Sequence, residues 1–304
     1  MSNFAFNNPA FKQQDPRNVA TYPGGPQAAA QGAQFGSAQH AGMDAAANAQ
    51  LEGMYAGPPA GAIETDRMTV EDTVWKTAAL FGILLVTAAI GWVWTLGGVQ
   101  IDPRQGVSML PWMIGAFGGF VLAMVITFTS RKKVRPALIF VYAALEGLFV
   151  GGISAFFEMI WPGIVMQATL ATVAVVGVTL ALFASGKIRA SKKMTKIVMI
   201  AMLGYMVFSL LNLVLMWTNV LPAGQAFGLL SQEVMGIPLG LIIGVLVVFM
   251  AAYSLVMDFD QIQQGVRNGA PRKYGWLGGF GIMVTVVWLY VEILRMIAIV
   301  RGSN

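Results

Sequence analysis

The chain has 304 residues, of which 57% are hydrophobic and only 11% are charged. Soluble globular chains carry roughly a quarter charged residues, so this composition excludes an ordinary soluble enzyme or nucleic-acid-binding domain. The absence of cysteine excludes disulfides, thiolate metal sites and cysteine nucleophiles, and the single histidine, His40, lies far from any apolar segment. The composition indicates a polytopic membrane protein that has no nucleic-acid partner.

Residues 1–66 are predicted to form a disordered cytoplasmic tail. They are built mainly from Ala, Gly, Gln, Asn and Pro, with almost no branched aliphatic side chains. Such a segment cannot bury enough apolar surface to offset the entropy lost on ordering. Docking of a membrane protein partner is the alternative role for this tail, and the sequence identifies no such partner.

The remaining residues, 67–304, are predicted to form one transmembrane domain. A membrane-spanning helix needs about 20 apolar residues. Seven runs of this kind follow one another through short loops, near residues 75–97, 109–129, 136–157, 163–185, 197–219, 236–257 and 276–300. The predicted fold class is therefore all-α: a polytopic membrane bundle of seven transmembrane helices in the lipid bilayer, with successive helices antiparallel.

Basic residues gather in alternate loops. Four lie within 131–135, five within 187–196 and three within 267–273, whereas the opposite loops hold Arg104 and acidic residues. By the positive-inside rule, the three basic loops and the amino-terminal tail are predicted to be cytoplasmic. The cations therefore act as topology determinants and need no nucleic-acid ligand.

Small residues recur at four-residue spacing in two of the apolar runs. Gly147 and Gly151 lie in the third run, and Gly236, Gly240 and Gly244 lie in the sixth. Small residues at this spacing allow transmembrane helices to approach closely. We expect close helix packing at both places.

Three acidic residues lie within predicted spans, where an acid costs about 2.5–3.5 kcal/mol on insertion scales and is a functional candidate by default. Glu146 lies about 15 Å beyond the start of the third span, Asp258 ends the sixth, and Glu292 lies inside the last. For Glu146 the structural alternative is a carboxyl bonded to Ser or Tyr on a neighbouring helix.

Two further ionisable residues accompany these acids. Asp260 follows Asp258 by two residues, about 200° around a helix, so we expect it to face the cytoplasmic loop. Arg295 follows Glu292 by three residues, so an intrahelical salt bridge is the structural alternative for Glu292. Glu146, Asp260 and Arg295 are therefore secondary candidates for a pore or gate.

Two short motifs resemble the transmembrane Bax inhibitor motif family. Asp-Phe-Asp-Gln-Ile begins at Asp258, and the last span reads Leu-Tyr-Val-Glu-Ile, followed by Arg295. Bacterial members of that family typically read Tyr-Asp-x-x-Gln-Ile and then Leu-Tyr-Leu-Asp. The seven-helix plan and Arg-Lys-Lys before the third helix are also similar, and the resemblance covers residues 70–300. The chain departs from the pattern at Met257, in place of tyrosine, and at Glu292, in place of aspartate.

The resemblance implies a pH-sensitive calcium leak channel in a bacterial inner (plasma) membrane. By position, Asp258 and Glu292 would be the carboxyl pair that shares a proton near the cytoplasmic mouth, and Arg131 would be the arginine that latches one of them. Calcium would be the transported ion, with Asp258 and Glu292 as its oxygen ligands. No resident cofactor is implied.

Two carboxyls in a poorly solvated site cannot both ionise cheaply, so they titrate as a unit. We expect the singly protonated pair of Asp258 and Glu292 to close the inner mouth, and the loss of that proton at higher pH to open it by repulsion. The pair has a geometric requirement. If the seventh span starts at Trp276, Glu292 lies about 24 Å from the cytoplasmic side, so the pair meets only if residues 275–281 lie at the interface or the helix enters later.

Two other functions are alternatives to the channel. A membrane-embedded regulator or binding partner of a quality-control protease or another membrane complex is the alternative, and the tail suits it. An intramembrane enzyme is disfavoured, because the chain has no His-Glu-x-x-His motif and no histidine in its apolar runs. The sequence therefore predicts a protein that is not an enzyme.

Overall fold

The seven predicted spans correspond to seven helices in the part of the chain that the structure describes. The structure, a computed structural model, describes residues 66–97, 107–130, 133–218, 220 and 227–302. The helices are α1 Val70–Thr95, α2 Leu110–Ser130, α3 Pro136–Ile160, α4 Ile164–Ala184, α5 Lys192–Trp217, α6 Leu239–Arg267 and α7 Tyr274–Gly302. Each is long and apolar enough to cross a membrane, which confirms the predicted all-α bundle.

Two of the sequence predictions fall outside the described residues. The predicted tail, residues 1–66, includes His40 and lies outside them except for its last residue, because the description begins at Asp66. Arg131, the predicted latch, lies in the undescribed gap between α2 and α3.

Helix starts follow from local sequence. The Thr69 hydroxyl accepts a hydrogen bond from the Asp72 backbone N–H at 3.1 Å and caps α1. The Ser191 hydroxyl caps α5 in the same way, through the Met194 N–H at 3.3 Å. Both caps satisfy a backbone donor that the first helical turn leaves free. Pro136 begins α3, where its missing N–H costs nothing.

Helix α6 is longer than the sequence indicates, and this moves Asp258. The predicted sixth span ended at residue 257, but α6 continues to Arg267, about 13.5 Å beyond Asp258. The acids and glutamines in this stretch are typical of a loop. Ile262 is nevertheless buried, and it packs the last turns of α6 against the core. The helix ends where Gly269, at φ 66°, takes the left-handed conformation. Asp258 is therefore inside the helix.

A short hairpin precedes α6. After a 3-10 turn at Gly228–Ser231, strand β1 (Glu233–Val234) pairs antiparallel with β2 (Ile237–Pro238). Gly236 lies in its turn with φ 79°, so the prediction that placed Gly236 on the sixth helix is wrong. The helical pair Gly240 and Gly244 does pack closely, against Ile299 and Met296 of α7.

Helices α1 and α3 touch backbone to backbone. A Cβ added to Gly151 would lie 2.7 Å from the carbonyl carbon of Ala88, and one added to Gly147 would overlap Thr87 and the Leu84 carbonyl. Glycine is required at such contacts because any side chain would separate the helices. The predicted close packing at Gly147 and Gly151 is confirmed.

Helix α7 is the most buried of the seven spans, and α5 is the least buried. Leu277, Phe280 and Met283 of α7 belong to a core cluster that also contains residues of α1 and α3. On α5, by contrast, only Val198 and Asn212 are buried. The bundle is therefore arranged around α7, with α5 at its edge.

An ionic cluster ties the start of α1 to the loop between α6 and α7. Arg272 Nε and Nη2 donate to Asp72 Oδ1 at 3.0 and 2.9 Å. Lys76 also pairs with Asp72 and donates to the Arg272 carbonyl at 2.7 Å. The end of the bundle that carries this cluster and the described residues 133–135, 187–196 and 267–273 is called the basic end below.

Gly151→Ala is expected to lower the free energy of unfolding by about 1–3 kcal/mol, the usual cost of overpacking. The backbone of Ala88 cannot yield unless α1 moves. Gly204→Ala on α5 is the matched control, because nothing lies within 4 Å of a Cβ added there, and alanine is the better helix former. Thermal unfolding in detergent measures both. Equal loss in the two variants would contradict the close contact of α1 with α3.

Candidate functional site

The three acids within the spans lie on three different helices and have different partners. Asp258 on α6 and Glu292 on α7 are 1% and 3% exposed, and Glu146 on α3 is partly buried. An unpartnered carboxylate among apolar side chains is costly. The partners of each acid therefore indicate what it does.

Asp258 is hydrogen bonded across the interface between α6 and α7. The Thr285 Oγ1 lies 2.6 Å from Asp258 Oδ2 and 3.2 Å from the Gly281 carbonyl oxygen. A hydroxyl has one proton to donate and can accept as well. With Asp258 ionised, Thr285 donates its one proton to the carboxylate or shares it unequally with the Gly281 carbonyl. Both bonds reach full strength only if Asp258 carries a proton and donates it to Oγ1, while Thr285 donates to Gly281.

A cavity of about 280 Å³ lies next to this hydrogen bond, between α2, α5, α6 and α7. Most of its wall is apolar, and Thr127, Ser254 and Thr285 contribute hydroxyls. Its described lining residues are Phe120, Ala123, Met124, Thr127, Met202, Ser254, Asp258, Phe280, Val284, Thr285 and Trp288. Asp258 is the one ionisable side chain among them. We call this space the Asp258 cavity.

Glu292 forms an ion pair on its own helix. Its carboxylate pairs with Arg295 three residues later and accepts a hydrogen bond from the Tyr205 hydroxyl of α5 at 3.0 Å. The Arg295 guanidinium carbon lies 5.9 Å from the centre of the Tyr205 ring. The salt bridge anticipated between residues 292 and 295 is therefore present, and it links α7 to α5.

The structure does not bring Asp258 and Glu292 together, so the expected proton-sharing pair is not formed in this structure. Asp258 lies beside Thr285, and Glu292 is seven residues further along α7, about 10.5 Å away. This difference in depth between Asp258 and Glu292 follows from where α6 ends and α7 begins. Because α7 begins at Tyr274, Glu292 lies about 27 Å along it, whereas Asp258 lies about 13.5 Å from the end of α6.

The structure likewise does not join Asp258 and Glu292 in one metal site. Among the described residues, no group of three or more His, Cys, Asp or Glu side chains could hold a metal ion. The offset of about 10.5 Å along α7 between Thr285, the partner of Asp258, and Glu292 exceeds the reach of two ligands that each lie 2.3–2.6 Å from one ion.

Glu146 and Asp260 occupy other environments. Glu146 is hydrogen bonded to Tyr142, one turn earlier on its own helix, so its partner does not lie on the neighbouring helix that we expected. Asp260 accepts a hydrogen bond from Gln264 Nε2 at 3.0 Å. It lines a cleft of about 670 Å³ at the basic end, together with Lys192 and Lys196. Asp260 thus faces away from Asp258, as its spacing predicted.

Two residues of this region were not identified from the sequence. Thr285 and Tyr205 lie in apolar runs, where a hydroxyl carries no distinctive pattern. A weak signal exists for Thr285, because it lies two helical turns before Glu292 and therefore on the same side of α7.

Glu292→Gln is expected to lower the free energy of unfolding by up to about 3 kcal/mol, the lower end of the range for a fully buried pair, because it leaves the partly buried Arg295 without its anion. The double variant Glu292→Gln/Arg295→Gln is expected to be more stable than the sum of the two single losses predicts. Denaturant unfolding of the four proteins in a double-mutant cycle gives the coupling. Additive losses would contradict the ion pair.

The comparison with protein families identifies the chain as a whole. The family described as Bax inhibitor 1 like matches residues 8–302. This match begins well before residue 70, so the family region includes most of the segment that the motif resemblance left out. No curated protein and no solved structure matches the chain. On the breadth of the family match, the chain belongs to the Bax inhibitor 1 like family.

Proposed function

We propose that this protein is a pH-sensitive cation leak channel, with calcium as the transported ion, and that Asp258 is its proton sensor. The observation that carries the proposal is a fully buried aspartate on the wall of a cavity, bonded to a hydroxyl of the next helix. The family membership supports the same function, because the family resemblance implies a calcium leak. The proposed sensor is a single carboxyl with its hydroxyl partner, in place of a carboxyl pair.

The proton determines how α6 is held to α7. When Asp258 is protonated, it donates to Thr285, which donates to the Gly281 carbonyl, so every polar atom of this chain of bonds is satisfied. When the proton is lost, the Thr285 hydroxyl turns to the carboxylate and leaves the carbonyl. The bond between α6 and α7 is then one that Thr285 donates to a carboxylate, the Gly281 carbonyl of α7 has lost its hydroxyl donor, and the helix interface carries one negative charge more. We propose that this form is the conducting one.

The charge also explains a preference for cations. In the ionised form, Asp258 is the only charge among the described lining residues of the Asp258 cavity. Electrostatic attraction is strong where the surroundings are apolar. Calcium prefers carboxylate, carbonyl and hydroxyl oxygens, and Asp258, Thr127 and Ser254 offer such oxygens. A site with one carboxylate binds weakly, as a conducting path requires.

The positive-inside rule orients the channel. We propose that the basic end faces the cytoplasm of a bacterial cell, with the amino terminus on the same side. Asp260 and the cleft it shares with Lys192 and Lys196 would then lie at the cytoplasmic mouth. No covalent chemistry is assigned to these groups, and the protein is proposed to be a channel and not an enzyme.

The calcium flux through reconstituted protein is expected to rise with pH, because Asp258 loses its proton. Asp258→Asn imitates the protonated carboxyl, which can donate to Thr285 at every pH, so we expect a low flux with little pH dependence. Asp260→Asn is the matched control, because it removes the same charge two residues away, and we expect it to keep the parent profile. Dye-loaded liposomes across a pH series measure all three proteins.

A parent pH profile retained in Asp258→Asn would contradict the sensor. Thr285→Val is an independent test of the sensor, because it removes the hydroxyl partner of Asp258 at nearly constant volume. This variant is expected to shift the midpoint of the pH profile without abolishing it, since the carboxyl still titrates. Glu292→Gln distinguishes a single sensor from a carboxyl pair. We expect the flux of this variant to keep its pH dependence, whereas a sensor made of Asp258 and Glu292 would lose it.

The alternative function, a regulator or binding partner within a membrane complex, makes a different prediction. Deletion of residues 1–66 is expected to leave the flux and its pH dependence intact, because none of the described residues that form the Asp258 cavity lies in that segment. Loss of cellular function on that deletion, with flux in liposomes unchanged, would instead favour the regulator.

A further inference from the structure

An apolar groove of about 600 Å³ runs along the side of the bundle between α1 and α4. Its walls include Val74 and Phe81 of α1 and Val173, Gly177 and Leu180 of α4, and α6 and α7 form its floor. We call it the α1–α4 groove. It is separate from the Asp258 cavity, with which it shares no lining residue. Its volume lies in the range of ordinary ligand sites.

The hydroxyls in this groove are already used. Thr73 donates to the Thr69 carbonyl at 2.8 Å, Thr77 to the Thr73 carbonyl at 2.8 Å and Thr172 to the Ala168 carbonyl at 2.7 Å. A threonine that bonds back to its own helix offers no free donor to a ligand. The walls therefore suit a hydrocarbon chain and do not suit an ion or a polar solute.

A cation lies at the end of the groove nearest the basic end. The Arg189 guanidinium carbon is 4.3 Å from the centre of the Phe183 ring, and Nη1 donates to Gln263 Oε1 at 2.9 Å. Phe183 and Gln263 both line the groove. Arg189 is exposed, and its bond to Gln263 uses one of the five N–H donors of a guanidinium. The others remain available for an anion at the surface.

We propose that the α1–α4 groove binds one anionic phospholipid, with an acyl chain along the groove and the phosphate at Arg189. The argument rests on charge complementarity, because the apolar groove ends at Arg189, a cation of the loop 187–196, which carries four further basic residues. Basic pockets between helices on this side of a membrane bind anionic headgroups. Arginine also suits phosphate better than lysine does, because its donors form a planar fork.

The groove can be filled without disturbing the rest of the bundle. Nothing lies within 4 Å of a Cβ added to Gly177, which lines the groove, or to Gly204 on α5, which does not. Gly177→Phe therefore places a ring in the groove, and Gly204→Phe is its matched control on another helix. Arg189→Gln tests the headgroup contact, with Lys193→Gln, an exposed cation of the same loop region, as its control.

The full-length protein is delipidated in detergent and titrated with phosphatidylglycerol or phosphatidylcholine of equal chain length, and native mass spectrometry counts the bound lipids. The parent is expected to bind one phosphatidylglycerol more tightly than phosphatidylcholine. Gly177→Phe is expected to weaken both lipids at least about tenfold, and Gly204→Phe to bind as the parent does. Arg189→Gln should lose about fivefold for phosphatidylglycerol alone, and Lys193→Gln should lose little.

Three results would overturn the proposal. The first is equal affinity of the parent for the two lipids, and the second is equal behaviour of Gly177→Phe and Gly204→Phe. The third is a dimer of the parent that Gly177→Phe dissolves, because the occupant would then be a second copy of this chain. If Gly177→Phe does not fold, as judged by its thermal transition, the lipid affinities of Arg189→Gln and Lys193→Gln still test the proposal. Calcium flux is not a readout here, so the lipid site and the channel are tested separately.

Discussion

The bundle depends on the constraint that each ionisable group in its apolar interior must have a bonding partner. Glu292 meets this constraint with a cation, Arg295, and with the Tyr205 hydroxyl. Asp258 meets it with a neutral hydroxyl of another helix, Thr285. When this acid loses its proton, the Thr285 hydroxyl still bonds to it, but no cation among the described lining residues of the Asp258 cavity balances the charge. Asp258 is therefore the group at which we propose that pH acts on the contact between two helices. The bond of Glu146 to Tyr142 lies within one helix and has no such effect.

Helix α7 is the most buried span, and its side-chain bonds connect it to two neighbouring helices. Thr285 bonds α7 to α6, and two turns later Glu292 bonds it to α5. Both neighbours also contribute to the Asp258 cavity, α5 through Met202. A change at Asp258 alters the first bond and leaves the second in place. In the proposed channel, one wall of the cavity shifts while the other stays fixed, so that a path opens and the bundle stays together.

Sequence predicted the helices well and the site only in part, for physical reasons. An apolar run long enough to span a bilayer forms a helix, because lipid offers no hydrogen-bond partner to the backbone. The three-residue spacing of Glu292 and Arg295 was enough to predict their salt bridge. The bond of Asp258 to Thr285 depends on how far α7 is displaced along α6. That displacement follows from where α6 ends, near Gly269, and composition did not reveal it. A motif shared with a family likewise locates Asp258 and Glu292 on the right helices but not at the same depth.

Infrared difference spectroscopy of the protein in lipid tests the central claim most directly, because it observes the proton on Asp258. The account predicts a protonated carboxyl band that disappears as pH rises over the range in which flux increases. The band should be absent in Asp258→Asn and shifted in Thr285→Val, whose carboxyl lacks its hydroxyl partner. A parent protein in which Asp258 is ionised at every pH, or keeps its proton while flux rises, would contradict the account.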